Sequence, residues 1–285
     1  MKFICVGAQK AGTTTLDALI RNYASNVEMP KIKETKFFLN EQFNEFNQGE
    51  DFYYNKYYSE RVDKNNIGEV DPEYLYFESC VDNIYNFNSD MKIIIIVRDP
   101  IKRAVSHYEM SKNRGYEELS FEDAIQKENE RISVSFFEKN HFSYLTRGKY
   151  KEQILRYVNK FGSDNVKVVS FEFFVNNQEL VLSDIASFAG FSIDEKVMPL
   201  KENTAFSPRF KTLRYLLNSD NIIKRTMSVL VKNKFIKMRV GGVLTKLNSK
   251  PRTEKTEISN QTITFLKGYY SEDTEYLAKE YGIEY

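Results

Sequence analysis

Tryptophan is absent from this sequence, and cysteine and histidine nearly so, with two of each in 285 residues. Cys5 and Cys80 stand far apart, so they form neither a disulfide framework nor a metal-ligand spacing, and a reducing compartment fits them best. Charge of one sign is also missing: 41 basic residues against 40 acidic leave a net +1, which removes any general reason to expect a nucleic-acid partner. No apolar run approaches the ~20 residues needed to span a bilayer. A strand-like run begins at Phe3, leaving no room for a secretory signal, so a cytoplasmic protein is expected. Internal repeats, low-complexity tracts and linkers rich in proline or glycine are lacking as well, and the chain reads as one domain over 1–285.

What is plentiful is Phe and Tyr, at 22 and 19, as expected of helices packed on a sheet through aromatic side chains. Four short runs rich in β-branched residues, Phe3–Val6, Ile67–Val70, Lys92–Val97 and Val166–Phe171, read as buried strands. Helical patterns lie over Thr14–Tyr23, Val81–Asn86, Ile101–Lys112, Phe121–Arg131, Tyr150–Phe161, Glu179–Gly190 and Gln261–Tyr281. That alternation predicts an α/β fold, a parallel sheet flanked by helices. Ser120 and Asp123 read as a capping box. The stretch Asn203–Asn260, broken by Pro208, Gly241, Gly242 and Pro251, reads as an irregular C-terminal lid. His107 and His141 read as packed residues, with no chemical motif around them.

The first strand runs straight into Gly7-Ala8-Gln9-Lys10-Ala11-Gly12-Thr13-Thr14-Thr15, the strand, turn and helix start that build an anion cradle. Backbone N–H groups and the positive end of the helix would face a phosphate or sulfate there. The spacing is that of a Walker A loop, yet position 13 holds Thr13 where that motif has its lysine. Lys10 lies inside the loop instead, placed for the terminal group of a donor shorter than a nucleoside triphosphate.

A second cluster ends the strand Ile93–Val97 with Arg98-Asp99-Pro100. Asp99 suits a helix cap and Pro100 a first turn. Arg98, at the C-terminal end of a buried strand, sits where open α/β sheets bind ligands and offers bidentate geometry to a phosphate. Glu34, in the lysine-rich stretch Lys33-Glu34-Thr35-Lys36, is a candidate general base. Glu69 and Asp71 lie in Gly68-Glu69-Val70-Asp71-Pro72-Glu73-Tyr74-Leu75, a segment that resembles one of a known enzyme family, and the resemblance leaves them as possible acceptor contacts. From Asn221 to Thr253 nine basic residues occur with no acidic one, a solvated face or a surface for an anionic membrane or an acidic polysaccharide.

These segments together resemble the sulfotransferases that use 3′-phosphoadenosine 5′-phosphosulfate (PAPS), in particular their heparan sulfate and carbohydrate branch. Lys10-Ala11-Gly12-Thr13-Thr14-Thr15-Leu16 is similar to the family's 5′-phosphosulfate loop. The resemblance implies a P-loop NTPase-like sheet, a donor held by Lys10, Ala11, Gly12, Thr13, Thr14 and Thr15, and a 3′-phosphate held by Arg98 and Ser106. It implies Glu34 as base, Lys10 acting on the leaving oxygen, and donor contacts from Lys250 and Arg252 in a closing loop. No metal is required by this scheme. Two departures stand out: Val70 occupies a position where some members have a lysine, and Pro251 replaces a glycine. The expected acceptor is a carbohydrate or other small hydroxyl or amine compound, with peripheral membrane contact through 221–253. The rival readings are an ATP- and Mg-dependent kinase and a non-catalytic glycan-binding protein on the same fold. Lys10 and Glu34 together disfavour the binder, and the displaced lysine disfavours the kinase.

Overall fold

A computed structural model of the chain describes residues 1–60, 63–194, 196–200, 206–208, 249–251 and 256–285. Its centre is a four-stranded parallel sheet of β1 (Phe3–Gly7), β2 (Gly68–Val70), β3 (Lys92–Val97) and β4 (Val166–Ser170), in the order β2-β1-β3-β4. The parallel α/β sheet flanked by helices expected from the sequence is therefore found, with strands at the expected places. Register runs Phe3↔Gly68 to Cys5↔Val70 on one side of β1, Phe3↔Lys92 to Gly7↔Ile95 on the other, and Ile93↔Val166 to Val97↔Ser170 beyond. Phe3 to Val6 and Ile93 to Val97 have no exposed surface, as strands covered by helices on both faces require. Cys5 and Cys80 are free and buried, and burial pushes the Cys5 thiol up to about 12.

The chain folds into two compact units, each assembled from separated segments. The first comprises Met1–Arg103, Leu145–Glu202 and Phe265–Tyr285 and contains the sheet. Against its β2 edge sits an aromatic core built around Phe37, Phe38, Tyr53 and Phe87, with centroid separations of 4.5 to 6.1 Å. Pairs of this kind add about 0.5–1.5 kcal/mol each beyond the area they bury, which accounts for a core rich in Phe and Tyr. The helix Gly49–Tyr57, which the sequence patterns did not reveal, supplies Tyr53, Tyr54 and Tyr57 to it. The second unit comprises Ala104–Tyr144 and Asn203–Thr264. Ser120 caps the helix Phe121–Gln126 by accepting the Asp123 N–H at 3.1 Å, as the capping box predicts. His107 is fully buried, edge-on to Tyr144 at 5.1 Å, and His141 packs between Tyr116 and Phe137.

Local differences from the sequence reading have local causes. Strand β4 stops at Ser170 rather than Phe171, because the Ser170 hydroxyl accepts the Phe173 N–H and starts the helix Phe171–Asn176. The long C-terminal helix is two, Asn260–Tyr269 and Ser271–Tyr281, separated at Tyr270, whose buried side chain donates its hydroxyl to the Leu145 carbonyl at 3.0 Å. The expected helix Phe121–Arg131 is likewise two, Phe121–Gln126 and Glu128–Ile132. Most of the expected lid, with the basic run 221–253, lies outside the described residues. Of that run only the strand Ser249–Pro251 is described, paired antiparallel with Phe206–Pro208 so that Lys250 stands opposite Ser207. Arg252 lies outside the described residues.

Candidate active site

Topology fixes where chemistry can happen. Strand β1 lies between β2 and β3: the chain passes from β1 to β2 on one side and then crosses to β3 on the other, and in open α/β sheets ligands bind at the loops that follow the strands beside such a reversal. Three of these loops carry the residues singled out in the sequence.

The loop after β1 starts where the Ala8 N–H donates to the Ile96 carbonyl of β3 at 2.7 Å, and it closes where the Ala11 N–H donates to the Ala8 carbonyl at 3.1 Å. Lys10 and Gly12 both take positive φ, 72° and 81°. At Gly12 glycine is strongly favoured: a Cβ would stand 2.9 Å from the Phe171 ring, which would have to shift. The Gly12 carbonyl then accepts the N–H groups of Thr15 (2.9 Å) and Leu16 (3.1 Å), starting the 11-residue helix Thr13–Tyr23. The N–H groups of Thr13 and Thr14 precede the first helical hydrogen bond and have no acceptor among the described residues, so they converge with the positive end of the helix on any bound anion. Thr13 is buried, Thr14 exposed, Thr15 half-buried and Ala11 buried.

Arg98 meets this loop directly. Its guanidinium donates through Nη1 to the Lys10 carbonyl at 3.0 Å and lies over the Phe171 ring at 4.6 Å, and its backbone N–H donates to the Tyr150 hydroxyl at 3.4 Å. Its Nε is buried and has no partner among the described residues. A charged donor left unsatisfied in this way suits an incoming anion. The neighbouring Asp99 accepts the N–H groups of Ile101 (2.9 Å) and Lys102 (3.1 Å), the helix cap expected for it. Ser106 lies eight residues beyond Arg98, half-buried, on the part of the helix Pro100–Arg114 that belongs to the second unit.

Glu34 belongs to a loop tied to the end of β2. Its carboxylate pairs with the Lys33 ammonium and is 36% exposed. Glu34 and Lys36 both have positive φ, 61° and 58°, on either side of a buried Thr35. The Lys36 N–H donates to Asp71 Oδ2 at 2.9 Å. The Thr35 hydroxyl donates to Glu69 Oε1 at 2.5 Å, and its carbonyl accepts the Tyr57 hydroxyl at 3.1 Å. Glu69 also receives the hydroxyls of Tyr74, at 2.9 Å, and of Tyr53. Burial raises the Glu69 carboxyl, with these hydrogen bonds opposing; burial, then the negative charges of Glu34, Glu69 and Glu73, raise Asp71 well above the ordinary carboxylate range. Glu69 and Asp71 have no exposed surface, which corrects their expectation as acceptor contacts: they are the anchors of the Glu34 loop. Val70 is buried in register with Cys5.

Sequence reasoning missed a further array. Gln9 donates through Nε2 to Glu73 Oε1 at 2.9 Å, and Glu73 Oε2 accepts Arg147 Nη2 at 2.7 Å, a pair almost wholly buried under the rings of Tyr76 and Phe77. Nothing around Arg147 marks it in the sequence, since its partner is 74 residues away. Phe171, which seats both Gly12 and Arg98, was read only as the end of a strand.

With this geometry in hand, comparison with known proteins is informative. A family model for the sulfotransferase domain matches residues 1–242. A membrane-associated sulfotransferase, kil1, of Dictyostelium discoideum is 27% identical over 161 residues, 53% of this chain and 32% of its own. Human heparan sulfate glucosamine 3-O-sulfotransferase 5 is 32% identical over 107 residues, 38% of this chain and 30% of its own. The chain thus spans about a third of the length of these curated relatives. The crystal structure of a sulfotransferase from Alicyclobacillus acidocaldarius is similar at 30% identity and a TM-score of 0.58, covering 70% of this chain and 86% of that one.

Proposed function

The chain belongs to the sulfotransferase domain family, and from that premise we propose that it moves the sulfuryl group of PAPS onto a hydroxyl or amine of a carbohydrate or glycolipid acceptor. The observation that carries this reading is the contact of Arg98 with the loop after β1. Arg98 reaches from the end of β3 to the Lys10 carbonyl while its buried Nε stays unpartnered among the described residues, which supports a donor with a second phosphate beyond the 5′ end. A nucleoside triphosphate carries no such second phosphate.

The chain's own residues then have definite tasks. The N–H groups from Lys10 to Thr14, with the Thr13 and Thr14 hydroxyls and Thr15 behind them, hold the 5′-phosphosulfate. Arg98 and Ser106 take the 3′-phosphate. Glu34 removes the acceptor proton as the acceptor oxygen or nitrogen attacks sulfur in line. The bond between sulfur and the bridging oxygen breaks, and Lys10 neutralises the charge that builds on that oxygen. The products are the sulfated acceptor and adenosine 3′,5′-bisphosphate (PAP). Lys250 and Arg252 are assigned to the donor phosphates from the closing loop.

A sugar acceptor is favoured because the human relative is by name a glucosamine sulfotransferase. Two buried free thiols fit a cytoplasmic enzyme. Among the described residues no helix is long and apolar enough to cross a membrane, and the basic run 221–253 is assigned to peripheral attachment, as befits similarity to a membrane-associated relative.

Calorimetric titration with PAP, 5′-AMP and Mg·ATP tests the donor assignment. PAP is expected to bind most tightly, and Arg98→Ala to weaken it about 10- to 150-fold, the loss of one or two charge-assisted hydrogen bonds. Preference for Mg·ATP would overturn the reading in favour of a kinase.

A further inference from the structure

Two residues with side chains at positive φ, separated by one, are not a conformation that a loop adopts unaided. Glu34 at 61° and Lys36 at 58° have Thr35 between them, and every polar group of that threonine side chain and its carbonyl is engaged from below. The hydroxyl donates to Glu69 Oε1 at 2.5 Å, contacts the Tyr74 hydroxyl at 3.2 Å and accepts the Phe37 N–H at 3.2 Å, while the carbonyl accepts the Tyr57 hydroxyl. One residue further on, the Lys36 N–H is fixed by Asp71 Oδ2 at 2.9 Å, and Asp71 is itself fixed to the sheet by its N–H to the Cys5 carbonyl at 3.0 Å. Glu34's own side chain, by contrast, has one ion pair among the described residues, with Lys33, and is 36% exposed. Its direction therefore comes from the backbone on which it stands, and that backbone is dictated by Thr35.

We infer that Thr35, whose hydroxyl is held by the buried Glu69 while Asp71 holds the N–H of the next residue, is a positioning residue that aims Glu34 at the acceptor. The inference rests on Glu34 being the base. In this arrangement the end of β2 serves as a rigid mount: Glu69 lies in the strand and Asp71 directly follows it. Glu69 cannot swing, because Tyr53 and Tyr74 hold its oxygens as well. Thr35 joins that mount to the reacting group without touching substrate. A methyl in place of its hydroxyl would leave the size of the side chain unchanged while releasing the loop to ordinary negative φ, and Glu34 with it.

The test uses the full chain and three variants, Thr35→Val, Thr35→Ser and Glu34→Gln. Turnover is read as PAP released from PAPS with water or an added sugar as acceptor, beside calorimetric PAP affinity and a crystal structure of each variant with PAP. Thr35→Val is expected to move the Glu34 carboxylate, to lower kcat at least tenfold, and to leave KM for PAPS and PAP affinity within about twofold; Thr35→Ser is expected to restore both position and rate. A Thr35→Val structure in which Glu34 has not moved, or a rate loss that serine does not rescue, overturns the inference. Wild-type turnover in Glu34→Gln overturns the base assignment itself, and with it the catalytic purpose of the clamp; lost turnover in Glu34→Gln beside full activity in Thr35→Val overturns the clamp alone. Should Thr35→Val fail to fold, Tyr57→Phe removes the hydroxyl on the Thr35 carbonyl, together with its bond to Glu45 Oε2, and carries the same readouts with a smaller effect.

Discussion

The loop after β1 and the loop around Glu34 each hold two residues in the left-handed region, yet they are kept there by different means. In the loop after β1, one of the two is a glycine, and bonds among Ala8, Ala11, Gly12, Thr15 and Leu16 shape the turn, with Ile96 and Arg98 bonding Ala8 and Lys10 from β3 and its end. In the Glu34 loop neither is a glycine, and the restraints come from Tyr57, Glu69, Asp71 and Tyr74, 22 to 39 residues away. A turn that points backbone N–H groups one way is supplied by a short glycine-bearing segment. A loop that fixes one side chain, as the proposed base Glu34 requires, takes a mount elsewhere in the core.

The largest effect is expected where the loop after β1 departs from this contrast, at Gln9, which leans on Glu73 and through it on Arg147. Arg147→Met strips Glu73 of its buried cation and should cost about 3–5 kcal/mol of stability in urea unfolding. If the cost is below about 1 kcal/mol with unchanged PAP affinity, the loop after β1 does not depend on the array beneath Gln9. Next comes Gly12→Ala, where the left-handed φ costs about 1–2 kcal/mol and the added carbon must displace the Phe171 ring. Weaker PAP binding should accompany the lost stability, because Phe171 also carries the Arg98 guanidinium; unchanged affinity would separate the two roles of that ring.

The smallest effect is one of pH and belongs to the Glu34 loop. Burial raises the Glu69 carboxyl above its ordinary value of 4.5, so the folded state holds this proton more tightly than the unfolded chain. The resulting stabilisation is complete below about pH 4.5 and is lost as pH rises through the raised folded value. Relative to Glu69→Gln, the wild type should therefore lose stability as pH increases from 4.5 toward neutrality, in urea titrations of the two proteins side by side. Parallel curves would mean that Glu69 ionises in the fold as it does in the open chain.

How far the site was legible in the sequence follows the same division. The strand, the two glycines and the helix start were visible because each depends on neighbours in the chain, and so was the cap at Asp99, which bonds Ile101 and Lys102. Glu69 and Asp71 were visible as carboxylates but not as buried ones. Exposure is a property of what packs on top, here Tyr53, Tyr74 and the Thr35 loop. Phe171 gave no signal at all: its aromatic ring reads as core, and its contact with Arg98 joins residues far apart in sequence.

Hydrophobic periodicity, glycine and capping act over a few residues, so the four parallel strands, the glycine-bearing turn from Gly7 to Thr15 and the arginine at the end of β3 were readable from local patterns. Only the tertiary structure decided which acids are mounts, that Arg98 closes on the Lys10 carbonyl, and that Arg147 lies beneath Gln9 by way of Glu73. Desolvation and hydrogen-bond partnership are set by elements brought together from distant parts of the chain, and no pattern within any one of them encodes the meeting.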